Sequence, residues 1–274
     1  MNEPLNLDTK QFLSDFKAII APLQIPMLLI GAQARLLIFD SQYKIQGRAT
    51  TDWDVAVKLE NWDKYDVLVT KMTAGDAPKF KKTNVIHKFI HINTGIEVDV
   101  IPFGEISNEE HTITWSDGNQ MSTLGLEETF INTQIEKIDD IEIRVVSLYA
   151  FIALKLLAWN ERRENKDLED IILVLQNYQE EERVFEELLD EISSGQFEID
   201  EASIILIGRE IRTLFSHQTL NKLNQIITQI IDNKNQYLPQ FIPKYLEANT
   251  WDEAFNKLVK RFQALQYGLE NPPI

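Results

Sequence analysis

The feature that most constrains this chain is the stretch from Met27 to Leu59, MLLIGAQARLLIFDSQYKIQGRATTDWDVAVKL. An apolar run, Met27 to Ile30, halts at Gly31-Ala32, and a helix-compatible segment follows from Gln33 to Phe39. Arg48-Ala49-Thr50-Thr51-Asp52-Trp53-Asp54 then leads into the β-rich Val55-Ala56-Val57. This order predicts strand, glycine turn, short helix, loop and strand. Glycine between a buried strand and a helix lets backbone N–H groups approach a phosphate at the positive end of the helix dipole. Asp52 and Asp54 stand two apart at a strand start, so the period of two points both carboxylates to one face. Like charges held so close need a cation between them, and paired carboxylates suit a hard ion such as Mg²⁺. A phosphate cradle beside an acidic pair points to metal-assisted chemistry on a nucleotide.

A third acid should arrive from a neighbouring strand. In Gly95-Ile96-Glu97-Val98-Asp99-Val100-Ile101-Pro102-Phe103 the alternation puts Ile96, Val98 and Val100 on one face, with Glu97 and Asp99 on the other. Asp99 is favoured because it lies deeper in the apolar strand, further from the Asn93-Thr94-Gly95 turn; Glu97 is the alternative. Downstream, Lys155, Arg162 and Lys166 are spaced seven and four apart, which on a continuous helix stacks them along one face. Such a basic stripe suits a triphosphate. Asp167 and Asp170 are expected to orient these side chains or cap the next helix rather than bind metal.

These residues resemble the AbiEii/AbiGii-type toxin nucleotidyltransferases, within the polymerase-β-like superfamily. That family carries a glycine turn, then Arg-x-Thr-x-Asp-hydrophobic-Asp, then a third Asp on a later strand. Gly31-Ala32, then Arg48, Thr50, Asp52 and Asp54, then Asp99 fit the pattern, with Ala32 standing where a second Gly or Ser is usual. The block Lys155-x2-Ala158-x3-Arg162-x3-Lys166-Asp167-x2-Asp170 is similar to the family's Lys…Arg…Lys-Asp helix, so the resemblance spans roughly residues 25–175. It implies an α/β nucleotidyltransferase-fold mixed sheet with flanking helices followed by an all-α helical domain that closes the cleft, and the chain's own pattern sets the boundary at Ser147, giving residues 1–146 and 147–274. It further implies two Mg²⁺ ions held by Asp52, Asp54 and Asp99. Gly31, Ala32, Arg48, Thr50, Lys155, Arg162 and Lys166 are then the nucleotide-binding residues. The NMP of an NTP would pass to an acceptor hydroxyl, foremost an RNA (tRNA) 3′ end, with a separately encoded antitoxin as a further partner. The alternatives are nucleotidylation of a protein hydroxyl and a non-catalytic nucleotide-binding module.

The chain has 274 residues, 44% hydrophobic and 26% charged, as expected of a globular protein with ample core. It has no cysteine, which excludes disulfides and thiolate metal sites. With no apolar run of membrane-spanning length and no basic-then-apolar leader at MNEPLNLDTK, the expected compartment is the cytoplasm, away from membranes. A net charge of −16 argues against broad nucleic-acid binding but leaves room for a local basic patch, for which Lys79, Lys81 and Lys82 are the candidates. The four histidines form no constellation: His87 and His91 are four apart on a predicted strand, and His111 and His217 stand alone.

Helices are expected at 8–21, capped by Asp8, with Phe12, Phe16, Ile19 and Ile20 inward, and at 61–72 with Trp62, Tyr65, Leu68 and Val69 inward. Residues 75–83 read as loop. Strands 84–92 and 96–101 form a hairpin. Residues 104–124 have no assignable element. Two further strands are expected at 128–135 and 141–146, and Ser147 caps a helix over 148–160. Beyond it, helices are predicted near 167–178, 182–193, 201–215, 219–232, 239–248 and 251–267.

Overall fold

The structure is a computed structural model that describes residues 6–45, 47, 50–133 and 135–272. It comprises two compact units, Met1–Phe151 and Ile152–Ile274.

The first unit opens with α1 (Leu7–Ile20), whose cap is Asn6 rather than the expected Asp8. The Asn6 side chain accepts the Thr9 N–H at 2.8 Å, which leaves Asp8 in the first turn, where its charge favours the helix dipole. The strand β1 (Met27–Ile30) leads into α2 (Gly31–Arg35), a π-type turn at Leu36–Asp40 and the short α3 (Ser41–Tyr43). The helix expected from Gln33 to Phe39 thus starts two residues earlier and loosens midway. There Arg35, fully buried, holds buried Asp40 through Nε–Oδ1 (3.1 Å) and Nη2–Oδ2 (3.0 Å). Next come β2 (Asp52–Lys58), α4 (Trp62–Thr73), β3 (Phe80–Lys82), β4 (Lys88–His91) and β5 (Glu97–Phe103).

These five strands form one mixed sheet ordered β1-β2-β5-β4-β3. Only the β2–β5 pair is parallel, and α4 with the β3–β4 hairpin makes the crossover between them. Alternation holds at the starts of β2 and β5: Trp53, Val55, Val98 and Val100 are buried, while Asp52, Asp54, Glu97 and Asp99 sit on the opposite face. Phe12 of α1 closes over Trp53 with ring centroids 5.4 Å apart and continues into a cluster with Phe16, Phe80 and His91. On α4, Tyr65, Leu68, Val69 and Met72 are the buried residues, and Trp62 is only half-buried.

Several expectations are corrected. Part of the expected 75–83 loop is the edge strand β3, with Phe80 inward. The strand expected from residue 84 begins at Lys88, because 84–87 turn back to pair β4 with β3. The unassigned 104–124 segment contains a hairpin, β6 (Thr112–Thr114) with β7 (Gln120–Ser122). Residues Leu126–Ile131 form α5 instead of a strand, since Leu126 and Thr129 recur with helical spacing and both are buried. Only then does β8 (Ile135–Ile138) pair with β9 (Ile141–Arg144). Ser147 Oγ accepts the Ala150 N–H at the start of α6 (Leu148–Arg162), and the division between the units falls within this helix.

The second unit continues with α7 (Asn165–Asn177), α8 (Glu181–Glu187), α9 (Leu189–Ser193), α10 (Ile199–Leu214), α11 (His217–Asp232), α12 (Lys234–Tyr237) and α13 (Ala248–Glu270). The helix expected at 239–248 is a single 3-10 turn, Pro239–Phe241, because Pro239 starts it and Pro243 cannot continue it. At the centre, α10 is buried from Glu201 to Arg209, more than one face of a helix. It packs on α13 at backbone distance, where Gly208 and Gly268 bring their Cα atoms together.

Candidate active site

The parallel register sets Asp54 opposite Asp99 and Asp52 opposite Glu97, so four carboxylates share one face of the sheet at the starts of β2 and β5. On the other side β1 sets Ile30 opposite Asp54, so the glycine that follows lies against the Asp54 carboxylate. Gly31 has φ +75°, and a Cβ built there would lie 1.9 Å from Asp54 Oδ2. Both the backbone conformation and the close approach therefore require glycine. Ala32 behind it is buried.

Sequence reasoning missed the cation in this cluster. Lys88, opposite Asp99 on β4, puts its Nζ 3.0 Å from Asp52 Oδ2, 3.3 Å from Glu97 Oε2 and 3.5 Å from Asp99 Oδ1. Burial works against the Lys88 charge, but the hydrogen bond it donates to Asp52 and the fields of Asp99 and Asp52 outweigh it, and its pKa is raised. Burial pushes the Asp99 carboxyl up, more than Lys88 lowers it, with Asp52 and Glu97 adding to the rise. Asp99 Oδ1 is buried and makes no hydrogen bond of good geometry. The only advance signal for Lys88 was a lysine in a strand with period-two spacing, which reveals nothing of its partners until β4 is known to lie beside β5.

The other expected site residues are dispersed in kind. Thr50 is half-buried, and its carbonyl accepts a hydrogen bond from Gln33 Nε2 at 2.7 Å, tying the loop before β2 to α2. Arg48 lies outside the described residues. In the second unit Lys155 is nearly buried, with its Nζ 3.2 Å from Asp167 Oδ1 and 2.7 Å from Asp170 Oδ2. Arg162 clamps the same Asp167 through Nε–Oδ2 at 2.7 Å and Nη2–Oδ1 at 2.5 Å. Burial alone would raise the Asp167 pKa, but Arg162 and Lys155 together hold it below the usual carboxylate range.

The single-face stripe expected of Lys155, Arg162 and Lys166 is not formed. The chain leaves α6 at Arg163, which has φ +54°, and passes through extended Glu164 before α7 begins. Lys166 is exposed on the next helix and pairs with Glu164 at 2.7 Å. The histidines hold no common site: His91 is buried against Asp15 (3.1 Å) and Thr94 (2.8 Å), and His87 lies on the Trp115 ring.

In kind, the carboxylate oxygens of Asp52, Asp54 and Asp99 fit a hard divalent ion. Among the described residues no three acids or histidines stand at ligand spacing, and the cation that these carboxylates surround is the Lys88 ammonium.

The sequence matches the family model described as nucleotidyl transferase AbiEii toxin, type IV TA system, over residues 43–257. A search of curated proteins finds no match. Among solved structures, the antibiotic-resistance factor ANT(2'')-Ia aligns at 15% identity and a TM-score of 0.38, covering 69% of this chain and 98% of its own. An antigenic nucleotidyltransferase-like protein from Paracoccidioides brasiliensis aligns at 15% identity and 0.40, covering 72% and 95%. The Thermotoga maritima CCA-adding enzyme complexed with tRNA aligns at 11% and 0.27, covering 98% and 82%. Similarities this low carry no argument about the present chain. The family match covers well over half of its length, and the chain therefore belongs to the AbiEii nucleotidyl transferase toxin family and is a nucleotidyltransferase.

Proposed function

We propose that the protein is a Mg²⁺-dependent toxin that transfers an NMP from an NTP to the 3′ hydroxyl of an RNA acceptor, tRNA foremost, and is held in check by an antitoxin. The observation that carries this reading is the shared face of Asp52, Asp54 and Asp99, with the Asp54 carboxylate against the Gly31 backbone. Asp52, Asp54 and Asp99 are the residues that would hold the ions. When bound, Mg²⁺ neutralises triphosphate oxygens and lowers the pKa of an acceptor hydroxyl.

The chain's own residues do the rest. Asp99, whose pKa burial raises above the ordinary carboxylate value, takes the acceptor proton. The acceptor oxygen bonds to the α-phosphorus, the α–β phosphoanhydride bond breaks, and pyrophosphate leaves. Backbone N–H groups at Gly31 and Ala32 bind phosphate oxygens, with Thr50 and Arg48 supporting the loop that precedes β2. The family resemblance assigns the triphosphate's further cations to Lys155, Arg162 and Lys166, all in the second unit. Asp167 and Asp170 position the first two of these, as the paired distances support. Lys88, the cation now among these carboxylates, would have to yield if a divalent ion were held there.

The test is incubation with each labelled NTP, Mg²⁺ and total tRNA or lysate, with RNA and protein resolved separately. Label on RNA is the expected result. Label confined to protein bands would replace the acceptor with a protein hydroxyl and leave nucleotidyl transfer intact.

A further inference from the structure

On the sheet face opposite the acid cluster, a cavity of about 590 Å³ lies between α4, the end of β3 and the β6–β7 hairpin. Its aromatic wall is Trp62, Tyr65 and Trp115, in edge contact with ring centroids 5.4 to 5.7 Å apart. Trp115 is only 3% exposed, yet its indole N–H has no hydrogen-bond partner. A buried donor without an acceptor bears its full desolvation cost, which this wall carries in place. Trp62 is half-buried and offers the remaining ring surface, and Asp66 and Asn84 add polar groups to the same wall.

The lining carries one cation, Lys82, beside Asp66 and Asp117, and Lys81 and Lys79 stand close to it in the chain. Lys79 is tied to Asp15 at 3.1 Å, whereas among the described residues Lys81 and Lys82 are exposed and enter no ion pair. Both are on β3, the edge strand. Lys82 is opposite Phe89 and shares its face, the cavity side, while Lys81 is opposite Ile90 and points to the face of Lys88 and the acids. The two ammonium groups therefore flank the sheet edge, one on each face. Only β4 separates β3 from β5, which is about 10 Å at ordinary strand spacing.

We propose that this cavity takes an unpaired base of the single-stranded end of the RNA acceptor, with Lys81 and Lys82 on the adjoining phosphates as the strand crosses the β3 edge towards the acid cluster. Aromatic rings beside a basic track form the common chemistry for single-stranded nucleic acid, because every base has a π face and every nucleotide a charge. The inference deepens the RNA-acceptor reading and rests on it. The half-buried Trp62 ring offers a face for a base to stack on, and exocyclic amines suit the exposed Asp66.

The test is quenching of tryptophan fluorescence by a five-nucleotide oligo(A) RNA, with labelled transfer to tRNA measured on the same proteins. Saturable quenching is expected, with log affinity falling by about 1.4 per log unit of salt for two phosphate contacts. Trp62→Leu should lose most of the quench and roughly tenfold in affinity. Lys81→Gln/Lys82→Gln should keep the quench at saturation, weaken binding and flatten the salt slope. These lysines are exposed, so the second arm stands even if Trp62→Leu folds poorly. Absence of quenching, or tRNA labelling with unchanged KM in every variant, would overturn the cavity's role and leave the acceptor assignment standing. Label on protein alone would overturn the acceptor reading and this proposal with it.

Discussion

A methyl group at position 31 would collide with the Asp54 carboxylate at 1.9 Å and would have to adopt φ +75°. Gly31→Ala is therefore expected to cost about 1–2 kcal/mol of stability and to reduce transfer far more, roughly 10²-fold or beyond, through displacement of Asp54. Single-turnover transfer compared with urea melts separates the two effects, and equal proportional losses would count against this account. Lys88 makes the complementary case. Lys88→Met leaves Asp52, Glu97 and Asp99 without the ammonium now among them. The metal-free protein should lose about 1–3 kcal/mol and regain most of it with Mg²⁺ or Mn²⁺, gaining more from the ion than the unaltered protein does. The same metal-dependent shift in both proteins would show that Lys88 does not share the site with the ion.

Elements come together here through backbone contacts as much as side chains. At the crossing of α10 and α13, a Cβ on Gly208 would lie 2.4 Å from the Leu265 carbonyl oxygen, and one on Gly268 would lie 2.2 Å from that of Ile205. In an open helix, Gly→Ala gains up to about 1 kcal/mol. At these two positions the helices must move apart, so Gly208→Ala and Gly268→Ala should instead destabilise by about 1–3 kcal/mol. Urea melts measure this directly; a stabilised Gly208→Ala would mean that the helices do not pack at this distance. The α6–α7 turn acts at the same scale. By ending α6 at Arg163 it brings Asp167 and Asp170 of α7 back onto Lys155, a pairing that one straight helix would have lost.

For the molecule as a whole, acidification acts in opposite directions at different carboxylates. Asp167 has its folded pKa held below 3.8, so its stabilising effect is present above that value and is lost as pH falls below it. Asp99 has its folded pKa raised above 3.8 by burial, so it lowers stability at neutral pH, and that penalty fades as pH falls towards 3.8. Protonation also relieves the self-repulsion of a chain at −16. Thermal melts from pH 7 to 3 should show Asp99→Asn more stable than the unaltered protein at pH 7, the difference closing near pH 4. Asp167→Asn should be less stable at pH 7 and should lack the steep acid loss below pH 4. Parallel curves for all three proteins would contradict both directions.

Much of the fold and the positions of the acidic residues were legible in the amino-acid order because they depend on local periodicity. Alternation alone places Asp52 and Asp54 on one face with Trp53 on the other, and likewise Glu97 and Asp99 against Val98. The apolar spacing of α1, α4 and most C-terminal helices is of the same kind. The short elements were not legible, since β3, β6, β7 and the six-residue α5 are too brief for a period to emerge. Which strands become neighbours is a property of the whole chain. Only the β2–β5–β4 register sets Asp54 opposite Asp99 and sends Lys88 among the acids. Only the helix crossing reveals why positions 208 and 268 are glycine, and only the folded turn after β1 shows why Arg35 is buried on Asp40. The sequence by itself determined the faces of the elements, because a residue's neighbours impose them. The tertiary structure decided which faces meet, because that depends on contacts between residues far apart in the chain, which no local pattern encodes.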